Sequence, residues 1–116
     1  MIERSERLDP LALELEPWPL EPDQILDGDP QVSGRVLDTS ADGRVERGVW
    51  SHSAGVSRDT ESDEIFVVLT GRATIEVEDG PTLELGPGDV GLLHAGDRTV
   101  WRVHETLRKI YQTTAD

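Results

Sequence analysis

The chain has no cysteine, only three histidines, and few aromatics: three tryptophans, one tyrosine and one phenylalanine in 116 residues. Without cysteine no disulfide can staple the fold, so stability has to come from one buried core, which is as much as a chain of this length can form. No apolar run approaches the roughly 20 residues that a bilayer crossing requires, and no membrane role is expected. Met1-Ile2-Glu3-Arg4-Ser5-Glu6-Arg7 leads into no apolar segment, so a secretory leader is not expected and the cytoplasm is the expected location. Basic residues are scarce as well: eleven Lys and Arg against 24 Asp and Glu leave a formal net charge of -13. A phosphate-rich partner would meet repulsion rather than release counterions, which argues against nucleic acid and anionic lipid.

What is present falls into two parts. Residues 1–30 carry nine acids, two arginines and five of the seven prolines, a composition that denies them a long helix and reads as an extended, acidic N-terminal arm. Within it Leu11, Leu13 and Leu15 alternate with polar or small neighbours, predicting a short strand laid on the body or on a second subunit. Trp18, between Pro17 and Pro19, reads as an anchor that packs the arm down. Residues 31–116 form the main domain, in which short runs rich in Val, Ile, Leu, Thr and Trp are separated by Gly, Asp and Pro. The predicted strands are 31–37, 44–51, 64–69, 73–78, 82–85, 90–93, 99–103 and 107–112. Hairpin turns are expected at Asp42-Gly43, Thr70-Gly71, Asp79-Gly80 and Gly86-Pro87-Gly88-Asp89, with glycine taking positive φ. An all-β chain this small hides its strand edges best by closing into a jelly roll or barrel, with a cavity-free two-sheet sandwich as the alternative.

Two motifs carry a resemblance. Six residues separate Glu64 from Gly71 in Glu64-Ile65-Phe66-Val67-Val68-Leu69-Thr70-Gly71-Arg72, and Gly88-Asp89 leads through a strand to His94-Ala95-Gly96. These resemble the two motifs of the cupin superfamily, with histidine in the usual proline place. Gly48-Val49-Trp50, the segment from Asp63 to Arg72, and the stretch from Trp101 through Leu107-Arg108-Lys109-Ile110-Tyr111 look like the small cupins grouped with (S)-ureidoglycine aminohydrolase. The resemblance implies an all-β, cupin-type double-stranded β-helix, a jelly-roll barrel with the N-terminal arm appended, and a homodimer. It also implies a metal held by two histidines, a glutamate and a further histidine. Here the histidine places fall on Ser57 and Asp59, or on Arg58 and Thr60, and on Thr99, while only Glu64 is kept. One carboxylate with hydroxyls does not replace three imidazoles, so no metal is expected at the standard position and a divalent transition metal is disfavoured. His52, Glu64 and His94 remain the alternative metal candidates, with His104 the third histidine of the chain.

Period two turns Glu64 inward with Phe66 and Val68, which makes it the candidate catalytic acid or base. Equally, it is expected to pair with an arginine such as Arg58, Arg98 or Arg102. Trp50 and Trp101 could supply a flat apolar wall. The candidate ligand-binding set is therefore Trp50, Arg58, Glu64, Phe66, Arg98, Thr99 and Trp101. Three functions compete: a module binding a small polar metabolite in the cavity, an enzyme of the ureidoglycine aminohydrolase kind or a Glu-dependent isomerase or lyase, and a non-catalytic assembly domain. Whether the chain is catalytic is left open by the residues themselves.

Overall fold

Two long strands form the spine of the molecule, because Val, Ile, Leu, Phe and Thr recur along both at the period that suits a half-buried strand. The computed structural model describes residues 5–115. Its elements are β1 (Glu16–Pro17), a 3-10 turn (Pro22–Gln24), β2 (Ile25–Asp27), β3 (Val32–Thr39), β4 (Val45–His52), β5 (Gly55–Thr60), β6 (Asp63–Val77), β7 (Thr82–Leu85), β8 (Val90–Leu93) and β9 (Arg98–Thr114). β6 and β9 pair antiparallel along their lengths, from Asp63 opposite Thr114 to Val77 opposite Thr99. The other edge of β9 is shared by β4, against its second half, and β5, against its first. β7 and β8 continue the sheet from the outer edge of β6. Every described strand thus belongs to one curled, nine-stranded sheet, the expected cupin-type all-β barrel.

Alternation decides which side chains fill it. Phe66 and Val68 of β6 are buried while their neighbours Ile65 and Val67 face outward. Ala73, Ile75, Leu85, Leu93, Trp101, Val103, Leu107 and Tyr111 join Phe66 and Val68 in one core. At roughly 1.5–3 kcal/mol for each fully buried large apolar side chain, this cluster is the main stabilising term, as the lack of disulfides demanded.

Several expectations are corrected. The runs 64–69 and 73–78 are one strand, and so are 99–103 and 107–112. Thr70-Gly71 is therefore no hairpin turn but an irregularity inside β6, where the pairing with β9 shifts register and Gly71 takes φ +88°. At Asp79-Gly80 it is Asp79, at φ +58°, that adopts the left-handed conformation, which Asp tolerates better than most residues. β5 carries no run of β-prone residues and was not expected; pairing with β9 and β2 holds it extended. No strand forms over Leu11–Leu15. Asp9 instead closes a turn there, its side chain accepting the Leu11 N–H and its carbonyl the Ala12 N–H.

The arm reaches the sheet further along. β1 pairs with β3 and β2 with β5, and the Trp18 ring lies so close over Gly34 that a Cβ there would meet it at 2.1 Å. Among the described residues no helix is long and apolar enough to cross a membrane.

Candidate functional site

The second half of β9 aims Leu107, Lys109 and Tyr111 at the barrel interior, since residues two apart share a face and Leu107 and Tyr111 are core. Lys109 is consequently 96% buried. Its Nζ donates to Glu64 Oε2 at 2.6 Å, and Trp50, Phe66 and Trp101 surround it with ring centroids at 4.3, 4.5 and 4.6 Å. Each ring offers the electron-rich face that attracts an ammonium. The cation that neutralises Glu64 is thus Lys109 and not one of the expected arginines. Arg58 lies by Asp23, Arg98 by Glu78 and Arg102 by Glu76, all three well exposed.

Above this pair opens a cavity of about 180 Å³, lined among others by Leu20, Trp50, Ser57, Asp59, Glu61 and Trp101. Glu61 follows β5 and is 91% buried. Its Oε2 accepts from Thr99 Oγ1 at 3.1 Å and from the Trp101 indole N–H at 3.2 Å. Burial first, then the charges of Asp59 and Glu64, push its pKa up to about 7. Tyr111 donates its hydroxyl to Glu46 at 2.7 Å, and burial together with that acceptor raises the phenol above its ordinary range.

Of the residues singled out in the sequence, Trp50, Glu64 and Trp101 line this cavity, with Phe66 beneath Lys109 and Thr99 behind Glu61. Arg58 stands at its rim, whereas Arg98 lies on an open outer groove of about 740 Å³. The three metal candidates are not brought together. His52 is fully buried with both ring nitrogens engaged, to the Ser53 carbonyl and to Ser57, and His94 is exposed beside Asp63. At the standard cupin metal position the donors are Ser57, Asp59, Thr99 and a Glu64 already paired with an ammonium. Such a set does not fit a transition metal, and among the described residues no three His, Cys, Asp or Glu side chains cluster as ligands would.

Lys109, Glu61 and Glu46 escaped the sequence reading. Lys109 could have been found, because it sits midway between two inward apolar residues of a predicted strand. Glu61 could not, since it follows a strand that the composition hides.

The pKa of Glu61 gives a sign to its effect on stability. It is raised in the folded state, so the proton is held more tightly after folding. Its contribution is therefore full below about pH 4.5 and is lost as pH rises to about 7. Glu61→Gln keeps an oxygen for Thr99 and Trp101 but no charge. The variant should match the wild type at pH 4 and exceed it at pH 8 by on the order of 2–3 kcal/mol in urea denaturation. His52, whose pKa burial lowers, acts in the opposite sense and cancels in this comparison. Parallel stability curves for the two proteins would show that Glu61 is ionised in both states.

The model of the EutQ-like cupin domain matches residues 39–111. The chain belongs to this cupin family. Among solved structures, this cupin is similar to a protein of unknown function from Pseudomonas syringae pv. tomato, with TM-score 0.80 and 26% identity over 92% of the present chain. The chain spans only 46% of that protein's length. The EutQ protein of Clostridium difficile matches with TM-score 0.66 and 22% identity, covering 84% of this chain and 80% of its own. An ectoine synthase from P. lautus follows with TM-score 0.64 and 21% identity, covering 72% and 63%. At these identities the last two speak for the fold alone. No curated protein matches the chain. One barrel thus serves proteins of different function, and what this cupin does has to be argued from its own cavity.

Proposed function

We propose that this cupin binds a small polar metabolite in the barrel cavity, without a metal at the standard cupin position. The observation that carries the reading is the Lys109–Glu64 pair sealed among three aromatic rings at the floor of that cavity. Desolvating both ions generally costs more than their attraction returns, and an apolar pair of the same volume would stabilise the fold as well or better. A pair in this place is better explained by what it offers a guest: an ammonium, carboxylate oxygens and a tryptophan wall within one enclosure. The volume, below the roughly 300–1,000 Å³ of drug-sized sites, suits an amide, a ureido compound or a short amino or carboxylic acid.

A thermal-shift panel of such compounds on the full chain tests it. A true ligand at a hundredfold excess over Kd should stabilise the fold by about 2.7 kcal/mol, and the gain should vanish in Trp50→Ala. A panel without one stabilising compound, or a gain undiminished in Trp50→Ala, would remove this reading. A stoichiometric metal lost on Glu64→Gln would replace it with metal-assisted chemistry.

A second reading, hydrolysis of a small ureido or amino substrate as in the ureidoglycine aminohydrolase cupins, is favoured by Glu61. A carboxyl group titrating near 7 is poised to give and take a proton at neutral pH. On that reading the acid-base role expected of Glu64 passes to Glu61, since Glu64 is committed to Lys109.

A further inference from the structure

Ser57, on the wall of the same cavity, is hydrogen-bonded to His52, which lies behind that wall, and the proton positions of the pair follow from their partners. His52 Nδ1 lies 2.6 Å from the Ser53 carbonyl oxygen, which can only accept, so Nδ1 carries the imidazole proton. Nε2 then presents a lone pair, and Ser57 Oγ, 2.8 Å away, donates its proton to it. The ring is 100% buried and cannot turn to solvent. Burial and the nearby Lys109 charge favour the neutral imidazole, against the Ser53 bond, and so keep that lone pair available. Ser57 itself is 96% buried against protein, yet it borders the cavity. A hydroxyl bonded to a base that a third group holds in the right tautomer is the arrangement of an activated nucleophile.

We propose that Ser57 is an acyl-accepting nucleophile with His52 as its general base, acting on small esters that enter the cavity. This goes beyond ligand binding and does not depend on it. Ser57 Oγ adds to the ester carbonyl carbon as its proton passes to His52 Nε2, and the imidazolium is steadied by Nδ1–H on the Ser53 carbonyl. Lys109, which lines the same cavity in its pair with Glu64, is the ammonium available to donate a hydrogen bond to the oxyanion. Collapse breaks the carbon–oxygen bond to the alcohol, which leaves with the proton from Nε2, and acyl-Ser57 remains. Water, deprotonated by the now neutral His52, adds to the acyl carbon. Ser57 departs with that proton, so ester and water become carboxylic acid and alcohol. A cavity of about 180 Å³ restricts the acyl group to a short one.

The test uses the full chain with p-nitrophenyl acetate, following p-nitrophenol release and locating the acetyl group by peptide mass spectrometry. The expected result is a burst of product with acetylation at Ser57. Ser57→Ala, a small change in the pocket wall, should abolish the burst with the circular-dichroism spectrum intact. His52→Gln should slow acylation by roughly 10²–10⁴-fold. Should the buried ring prove necessary for folding, an aryl phosphonate that labels Ser57 of the wild type supplies the same answer. A folded Ser57→Ala that releases product as fast as the wild type would overturn the proposal, as would acetylation confined to lysine or tyrosine.

Discussion

Replacing Lys109 by Met should cost this cupin about 3–5 kcal/mol of stability, enough to lower its melting temperature by on the order of 10–20 °C. The substitution keeps an unbranched side chain of similar length among Trp50, Phe66 and Trp101, so packing changes little. What is lost is the ammonium, which among the described residues is the one cation bonded to a Glu64 side chain that is 91% buried. Glu64 would then have to take up a proton or draw water into the barrel, and either is paid for from a folding free energy of only about 5–15 kcal/mol. A variant as stable as the wild type would mean that the pair is solvated in solution.

Removing both charges separates stability from function. Lys109→Met with Glu64→Leu leaves no uncompensated ion and should recover most of the lost stability, since apolar replacement of a buried pair is often neutral or favourable. If the pair is there to recognise a metabolite, the double variant should fold well and bind nothing. Urea denaturation and the ligand panel on the same preparation read the two effects independently. The structure offers a reason to expect this split. Ile75, Leu93 and Leu107 already provide a contiguous apolar core, whereas Glu61, Lys109 and the buried Glu64 side chain all line the cavity.

How much of this was legible depended on whether a residue's environment is set locally. β7 and β8 were read to the residue, because Leu83 and Leu85, and Gly91 and Leu93, alternate between turn residues that the chain itself supplies. The inward face of Glu64, Phe66 and Val68 followed from the same period. β5 was invisible: Ser57, Arg58 and Asp59 have no preference for strands, and they are extended because β9 pairs with them from some forty residues away. That one omission hid Glu61 and the inward position of Ser57. The pairing of Glu64 with Lys109 could not be deduced either, since it joins strands through a register that no single segment encodes.

The irregularity at Gly71 shows why the hairpin expected at Thr70-Gly71 is instead one long strand, and it carries the second large effect. Gly71 and Gly96 share φ +88°, where an L side chain is strained, so alanine at either should lose roughly 1–2 kcal/mol from the backbone alone. Their surroundings differ. A Cβ at Gly96 meets nothing within 4 Å, but at Gly71 it would come 2.1 Å from the Thr106 carbonyl oxygen. That oxygen is backbone and cannot swing aside; either β6 and β9 separate or the bend opens. Gly71→Ala should therefore cost at least about 2 kcal/mol more than Gly96→Ala, which serves as its control in parallel urea denaturations. Equal losses at the two sites would show that the strands part easily at this point. The consequence extends to the cavity, because the register shift around Gly71 separates the stretch of β6 from Glu64 to Val68, opposite Thr113 to Lys109, from the stretch opposite Trp101. A bend that places Lys109 against Glu64 while letting Trp101 close over it has to sit between those stretches, and glycine is the residue that permits so close an approach of the two backbones.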